Sequence, residues 1–62
     1  MESVTLKHDK TAVLLEYAQR NNRWYETAID GNGKRFDSIR VMSWDLAGKL
    51  NHHIENGWMP ID

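Results

Sequence analysis

Hydrophobic and polar positions follow a helical period over the last third of the chain. Ser43 is in the position of an N-cap, and Gly57 is placed to end the helix in a left-handed conformation. Between these two residues, the apolar side chains fall within a stripe about 100° wide, which is typical of a helix lying on a sheet. The stripe comprises Leu46, Ala47, Leu50 and Ile54. An apolar tail, 58–61, follows the helix and contains Pro60, which argues against renewed helix.

The first half of the chain is typical of short strands, although residues 10–21 fit two patterns. As a helix, this segment is favoured by its local residue propensities. As a strand after a two-residue turn, it would pair Leu6 with Val13 and Val4 with Leu15, with all four side chains on one face. Cross-strand pairing often overrides local propensity, so we predict a strand.

A second hairpin is predicted around Gly31-Asn32-Gly33. Asn-Gly supplies the two positive φ angles of a type I′ turn. That turn would pair Ile29 with Phe36, Thr27 with Ser38, and Tyr25 with Arg40. A slip of one residue remains open, since neither face of 24–30 is purely polar.

Together, these patterns predict an α+β fold in a single small domain, residues 1–62. Its core is an antiparallel β-meander of three or four strands, with one C-terminal helix packed on one face. The alternative is a β-α-β-β-α order with a second helix at 10–21. We expect Leu14, Trp24 and Val41 to lie on the sheet face that the helix leaves uncovered.

Composition narrows the classes of function. The chain has no cysteine, which excludes disulfides and thiol chemistry, and it has three Trp, two Tyr and one Phe for core or interface. It has neither a run of about 20 apolar residues nor a signal-peptide pattern, so we expect a cytoplasmic protein that does not enter a membrane. Residues 7–40 hold seven bases against five acids, and residues 41–62 carry a net charge of −2.

The motifs that suggest chemistry do not support catalysis or metal binding. His52 and His53 are adjacent, and adjacent helical side chains point about 100° apart, so they do not share one ion. The loop that begins at Asp30 has Val41 where a calcium loop requires its twelfth-position glutamate. We therefore expect no enzyme activity, no cofactor and no metal.

The functional hypothesis rests on the basic, aromatic segment of the chain. Arg, Trp and Tyr are enriched at interface hot spots. We predict a non-enzymatic, protein-binding accessory protein, a regulator or inhibitor of bacterial or phage origin, with a homodimer as a further option. The predicted partner-binding residues are Arg20, Arg23, Trp24, Tyr25, Arg35 and Arg40.

Single-stranded nucleic acid is the alternative partner, since aromatic and arginine side chains on a sheet can stack bases. Two features count against it. Trp24 falls on the opposite face from Tyr25 and Phe36, and acidic residues interrupt the segment. These acids are Glu26, Asp30 and Asp37.

Overall fold

The computed structural model describes residues 2–61, which form a five-stranded antiparallel sheet and one helix. The strand order is β4-β3-β2-β1-β5. The elements in chain order are β1 Ser3–His8, β2 Leu14–Arg20, β3 Arg23–Ile29, β4 Ile39–Val41, α1 Ser43–Glu55 and β5 Trp58–Ile61. The predicted α+β fold with a single helix is confirmed, and residues 14–20 are a strand. The sheet has one strand more than predicted, because the apolar tail pairs with β1.

The helix separates the two faces of the sheet. Because all neighbouring strands are antiparallel, β4 and β5 run in the same direction at opposite edges. The chain between them is α1, which packs on one side of the sheet, here called the covered face. No element within residues 2–61 packs on the other side, here called the open face.

The pairing of β1 with β2 differs from the predicted register by two residues. Leu6 pairs with Leu15, and Val4 pairs with Tyr17. The connecting loop is longer than a two-residue turn, and Val13 lies before β2. A shift of two residues preserves the alternation of a strand, so Val4, Leu6 and Leu15 still share the covered face as predicted.

The core lies between the sheet and α1. Leu6 and Tyr17 are completely buried, with Leu15 and Val41 beside them. On the helix, Leu46 and Leu50 pack against this cluster, whereas Ala47 and Ile54 are exposed. The predicted apolar stripe of the helix was therefore too wide, since only two of its four side chains pack on the core. Trp24 and Val41, expected on the open face, belong to this core, and only Leu14 lies where predicted.

The two positive φ angles predicted for the Gly31-Asn32-Gly33 turn occur instead in the turn between β2 and β3. Asn21 and Asn22 have φ angles of 51° and 63°, so the two-residue turn with paired positive φ lies there. At the second hairpin, only Gly33 has a positive φ among the turn residues. The Asp30 carboxylate accepts hydrogen bonds from the backbone N–H groups of Asn32 and Lys34, at 2.9 Å each, and holds this different turn.

The different turn changes the register beside it. Ile29 bridges Arg35 instead of Phe36, which is the one-residue slip that the sequence left open. Further along β3, Tyr25 pairs with Arg40 as predicted. An extra residue on the 35–39 side therefore forms a bulge between these two pairs.

The ends of α1 follow from its short connections. The N-cap is Met42, in extended conformation and without a side-chain cap, so the prediction of Ser43 was wrong by one residue. Only Met42 separates β4 from α1, and the first helical turn is open to water, which can satisfy its N–H groups. At the other end, Gly57 has a φ of +96°, the predicted left-handed stop.

Strand β5 carries Pro60 at the edge of the sheet. The N–H of Asp9 donates to the Gly57 carbonyl at 2.8 Å, which makes this pair a hydrogen-bonded one. Such pairs alternate along an antiparallel ladder, so the Leu6–Pro60 pair is not hydrogen-bonded. The ring nitrogen of Pro60 therefore faces away from β1, where it interrupts no bond of the ladder.

Candidate partner-binding face

The open face is built from alternate residues of the strands. On β2 and β3, the cross-strand pairs Arg20–Arg23, Ala18–Tyr25 and Glu16–Thr27 have their side chains on this side. Ser3, Thr5 and Lys7 of β1 share it, as do Met59 and Ile61 of β5. From the β4 edge to the β5 edge, the face therefore changes from basic and aromatic to small polar and then to apolar.

Four of the six predicted residues meet at one end of the open face, here called the basic corner: Arg20, Arg23, Tyr25 and Arg40. The Asn21–Asn22 turn places Arg20 opposite Arg23, and the β3–β4 register places Tyr25 opposite Arg40. The guanidinium carbon of Arg20 lies 4.8 Å from the centre of the Tyr25 ring, a cation–π contact. None of the three arginines forms an ion pair with a carboxylate of residues 2–61.

A shallow depression of about 310 Å³ adjoins the basic corner. Small side chains form its floor, and Thr27 is 4 % exposed. The hydroxyl oxygens of Thr27 and Ser38 are 2.6 Å apart and hydrogen-bond to each other. Phe36 and Arg35 stand at the rim. The depression can therefore receive a side chain of a partner without leaving these hydroxyls unpaired.

Arg35 lies across the depression from the basic corner and differs from it electrostatically. Its guanidinium forms a salt bridge with Glu16 on β2, so its charge is compensated. The ammonium of Lys34 lies 5.4 Å from the centre of the Phe36 ring. On this side of the depression, the Arg35 charge is neutralised by Glu16, and one face of the Phe36 ring is occupied by Lys34.

The structure separates Trp24 from the other five predicted residues. Trp24 alternates with Tyr25, lies on the covered face and packs against the core, so it is not part of the open face. Glu26, one of the acids weighed against nucleic acid, is also on the covered face. Asp30 is engaged in its turn, and Asp37 is exposed.

Sequence reasoning missed three of the residues that line the depression. Phe36 and Ser38 line it together with Thr27, although none of them was among the predicted partner-binding residues. The predicted pairing of Thr27 with Ser38 contained the signal, since two short hydroxyl side chains opposite each other leave a gap on a sheet surface.

A second titratable cluster lies beneath α1. The Tyr17 hydroxyl donates a hydrogen bond to the Glu26 carboxylate. His53 Nδ1 lies 2.8 Å from the Lys49 carbonyl oxygen and 3.4 Å from the Tyr17 hydroxyl. A carbonyl only accepts, so Nδ1 carries the proton. Burial, followed by the bond to Glu26, raises the pKa of Tyr17 well above its ordinary value. This cluster fastens the helix to the sheet.

The histidines do not assemble a metal site. The rings of His52 and His53 meet edge to face with centres 5.7 Å apart, and His53 contacts Trp58 in the same way. Across residues 2–61, no three side chains of the metal-binding types come together. Helix α1, at 13 residues, is too short to cross a bilayer, and it is the longest helix of the described chain.

No protein-family model matches this chain, and no curated protein or solved structure shows significant similarity to it.

Proposed function

We propose that this chain is a non-enzymatic accessory protein that binds another protein through the open face of its sheet. One observation carries the proposal: the basic corner presents three guanidinium groups and a tyrosine ring on a face that no helix or strand of residues 2–61 covers. Arg and Tyr are among the side chains that contribute most to binding at protein interfaces. The proposed setting is the cytoplasm, with the chain acting as a regulator or inhibitor of a bacterial or phage protein.

The position of the reactive side chains supports binding over catalysis. Tyr17 and Glu26 form a hydrogen-bonded titratable pair, but Tyr17 is completely buried beneath α1. A substrate does not reach the Tyr17 side chain while the helix is in place. On the open face, the hydroxyls of Thr27 and Ser38 bond to each other, and neither contacts a general base.

A pull-down with matched variants tests the proposal. Bait protein is exposed to bacterial lysate, and a captured protein is then purified and its affinity for each variant measured. We expect Tyr25→Ala combined with Arg40→Ala to weaken binding by about tenfold or more. Lys49→Ala is the control, because this side chain is exposed on α1, away from the open face. If both variants bind like the parent chain, the open face is not the interface.

Single-stranded nucleic acid is the second candidate partner. The observation that favours it is the absence of a carboxylate partner within residues 2–61 for Arg20, Arg23 and Arg40. Glu26 lies on the covered face, so its negative charge does not lie on the surface that a nucleic acid would contact. Binding of an oligothymidylate that weakens steeply with added salt, and that is lost in Arg40→Ala, would support this candidate over a protein partner.

A homodimer is the third arrangement to be tested. The exposed apolar side chains of Ile39, Met42 and Trp44 follow one another near the start of α1 and would be buried by a second copy there. Sedimentation equilibrium over a range of concentrations measures the mass directly. A dimer that is abolished by Trp44→Ala, but not by Tyr25→Ala, would place self-association away from the open face.

A further inference from the structure

We propose that the partner of the open face is an extended, acidic protein segment, with carboxylates at alternate positions that pair with the arginines of the basic corner. This inference rests on the proposed function and names the chemistry of the partner. Because the three guanidinium groups carry uncompensated positive charge, the complementary surface is negative.

The spacing of the arginines fits a strand-like segment. Arg20 and Arg23 are direct cross-strand neighbours, so their β-carbons are about 5 Å apart. Arg40 lies opposite Tyr25, two positions from Arg23, and this diagonal is about 7–8 Å. Side chains two residues apart in an extended peptide are separated by about 7 Å. Two carboxylates at alternate positions therefore reach Arg23 and Arg40 from the same side of the segment.

The basic corner is held in place before a partner arrives. The Arg20 guanidinium lies over the Tyr25 ring, which restricts the motion of this side chain, and no carboxylate of residues 2–61 pairs with it. A guanidinium presents paired donors that match the two oxygens of a carboxylate. Less side-chain freedom is then lost on binding, which favours affinity.

The same contacts disfavour a polynucleotide. Stacking of bases requires free aromatic faces, whereas Arg20 covers one face of Tyr25 and Lys34 covers one face of Phe36. The positive charge is also local, since the whole chain has a net charge of −1. At 0.1 M salt, charges are screened beyond about 10 Å, so the distant phosphates of a long polyanion add little to its attraction to the corner.

The depression next to the corner supplies a second point of contact. It has room for one aliphatic side chain, with Phe36 at its rim and Ala18 on its floor. Within an extended segment, a residue that follows the acidic positions would lie over this depression. We therefore expect acidic residues at alternate positions, followed by an apolar residue, in segments that bind.

Selection from a random twelve-residue peptide display library tests the inference. We expect the selected peptides to be enriched in Asp and Glu at alternate positions, and their affinity to fall by about tenfold or more in Arg20→Glu combined with Arg40→Glu. Lys10→Glu combined with Lys49→Glu is the control, because it makes the same charge change at exposed residues outside the basic corner. Circular dichroism verifies that both double variants fold.

The outcomes separate this inference from the proposed function. If the selected peptides lack acidic enrichment, or bind both double variants equally, the acidic-segment inference is wrong. If peptides without acidic enrichment bind the parent chain but do not bind Tyr25→Ala, the open face would still be a protein-binding surface. Oligothymidylate of twenty nucleotides is the parallel probe. Tighter binding of it than of the best peptide, lost in the Arg20/Arg40 variant, would overturn both proposals.

Discussion

Tyr17 and Glu26 face each other across β2 and β3, and the Tyr17 hydroxyl donates a hydrogen bond to the Glu26 carboxylate under α1. The phenol is completely buried and also lies 3.4 Å from His53 of the helix. One tyrosine therefore joins the middle of the sheet to the last turns of α1. This contact adds to the packing of Leu46 and Leu50, which holds the helix on the covered face.

We expect Tyr17→Phe to destabilise the fold, because it removes the donor and leaves the Glu26 carboxylate partly buried without a partner. A loss of this kind costs about 1–3 kcal/mol in the free energy of unfolding. Urea titration followed by circular dichroism measures it. Tyr25→Phe is the matched control, since the Tyr25 ring lies on the open face, and we expect a change below about 0.5 kcal/mol. Equal stability of the two variants would contradict this role of Tyr17.

The raised pKa of Tyr17 makes stability depend on alkaline pH. In the unfolded chain, tyrosine loses its proton near pH 10, whereas in the fold the proton is retained to higher pH. The stabilising effect is therefore complete below pH 10 and is lost as pH rises above it, because the unfolded state then binds fewer protons. Urea titrations between pH 8 and 11 should show a steeper loss in the parent chain than in Tyr17→Phe. Parallel slopes would mean that the proton on Tyr17 is not coupled to folding.

Two glycines should respond to alanine with opposite signs. Gly57 has a φ of +96°, and a Cβ there would lie 3.1 Å from the Asp9 carboxylate, so Gly57→Ala should cost about 1 kcal/mol or more. Gly48 is in the middle of α1 with open space around it, so Gly48→Ala should stabilise by up to about 1 kcal/mol. Thermal melts of the two variants measure both changes. A melting temperature that rises in Gly57→Ala would disprove the assigned helix end, and one that falls in Gly48→Ala would contradict the open space around Gly48.

Leu50 and Ile54 should separate the face of α1 that packs from the face that does not. Leu50 contacts the core cluster, whereas Ile54 is 44 % exposed one turn later. Leu50→Ala should therefore destabilise by about 2 kcal/mol, and Ile54→Ala by less than about 1 kcal/mol. Chemical denaturation of both variants in parallel gives the comparison. A larger effect at Ile54 would mean that the helix is rotated about its axis.

Much of this fold could be predicted from local sequence patterns. The rest depends on contacts between residues that are far apart in the sequence. Alternation in β1 and β2 identified the covered face even though the register was shifted by two, because that shift leaves each side chain on its face. The strand β5 was missed because a four-residue apolar tail with a proline has no alternation to distinguish it from a loop. Only its pairing with β1 makes it a strand.

The sequence predicted which residues make up the candidate site better than it predicted how they are arranged. The segment from Arg20 to Arg40 was identified by its charge and aromatic content, and the structure brings four of the six predicted residues into the basic corner. Trp24 was misplaced because adjacent residues of a strand point to opposite faces, and composition does not record the face. Arg35 differs from the basic corner because it pairs with Glu16. This partner is 19 residues away in the sequence, so local patterns did not predict the pair.

The proline in β5 limits how this protein can associate. A strand added beside β5 would find no N–H at Pro60, and at the opposite edge β4 offers only three residues. Edge-to-edge pairing between copies of the chain is therefore disfavoured at β5, where Pro60 lacks an N–H. At β4 it is limited because the strand has few backbone groups to offer. The chain can display an uncovered, side-chain-rich surface to a partner while its backbone gives little opportunity for fibrils to nucleate.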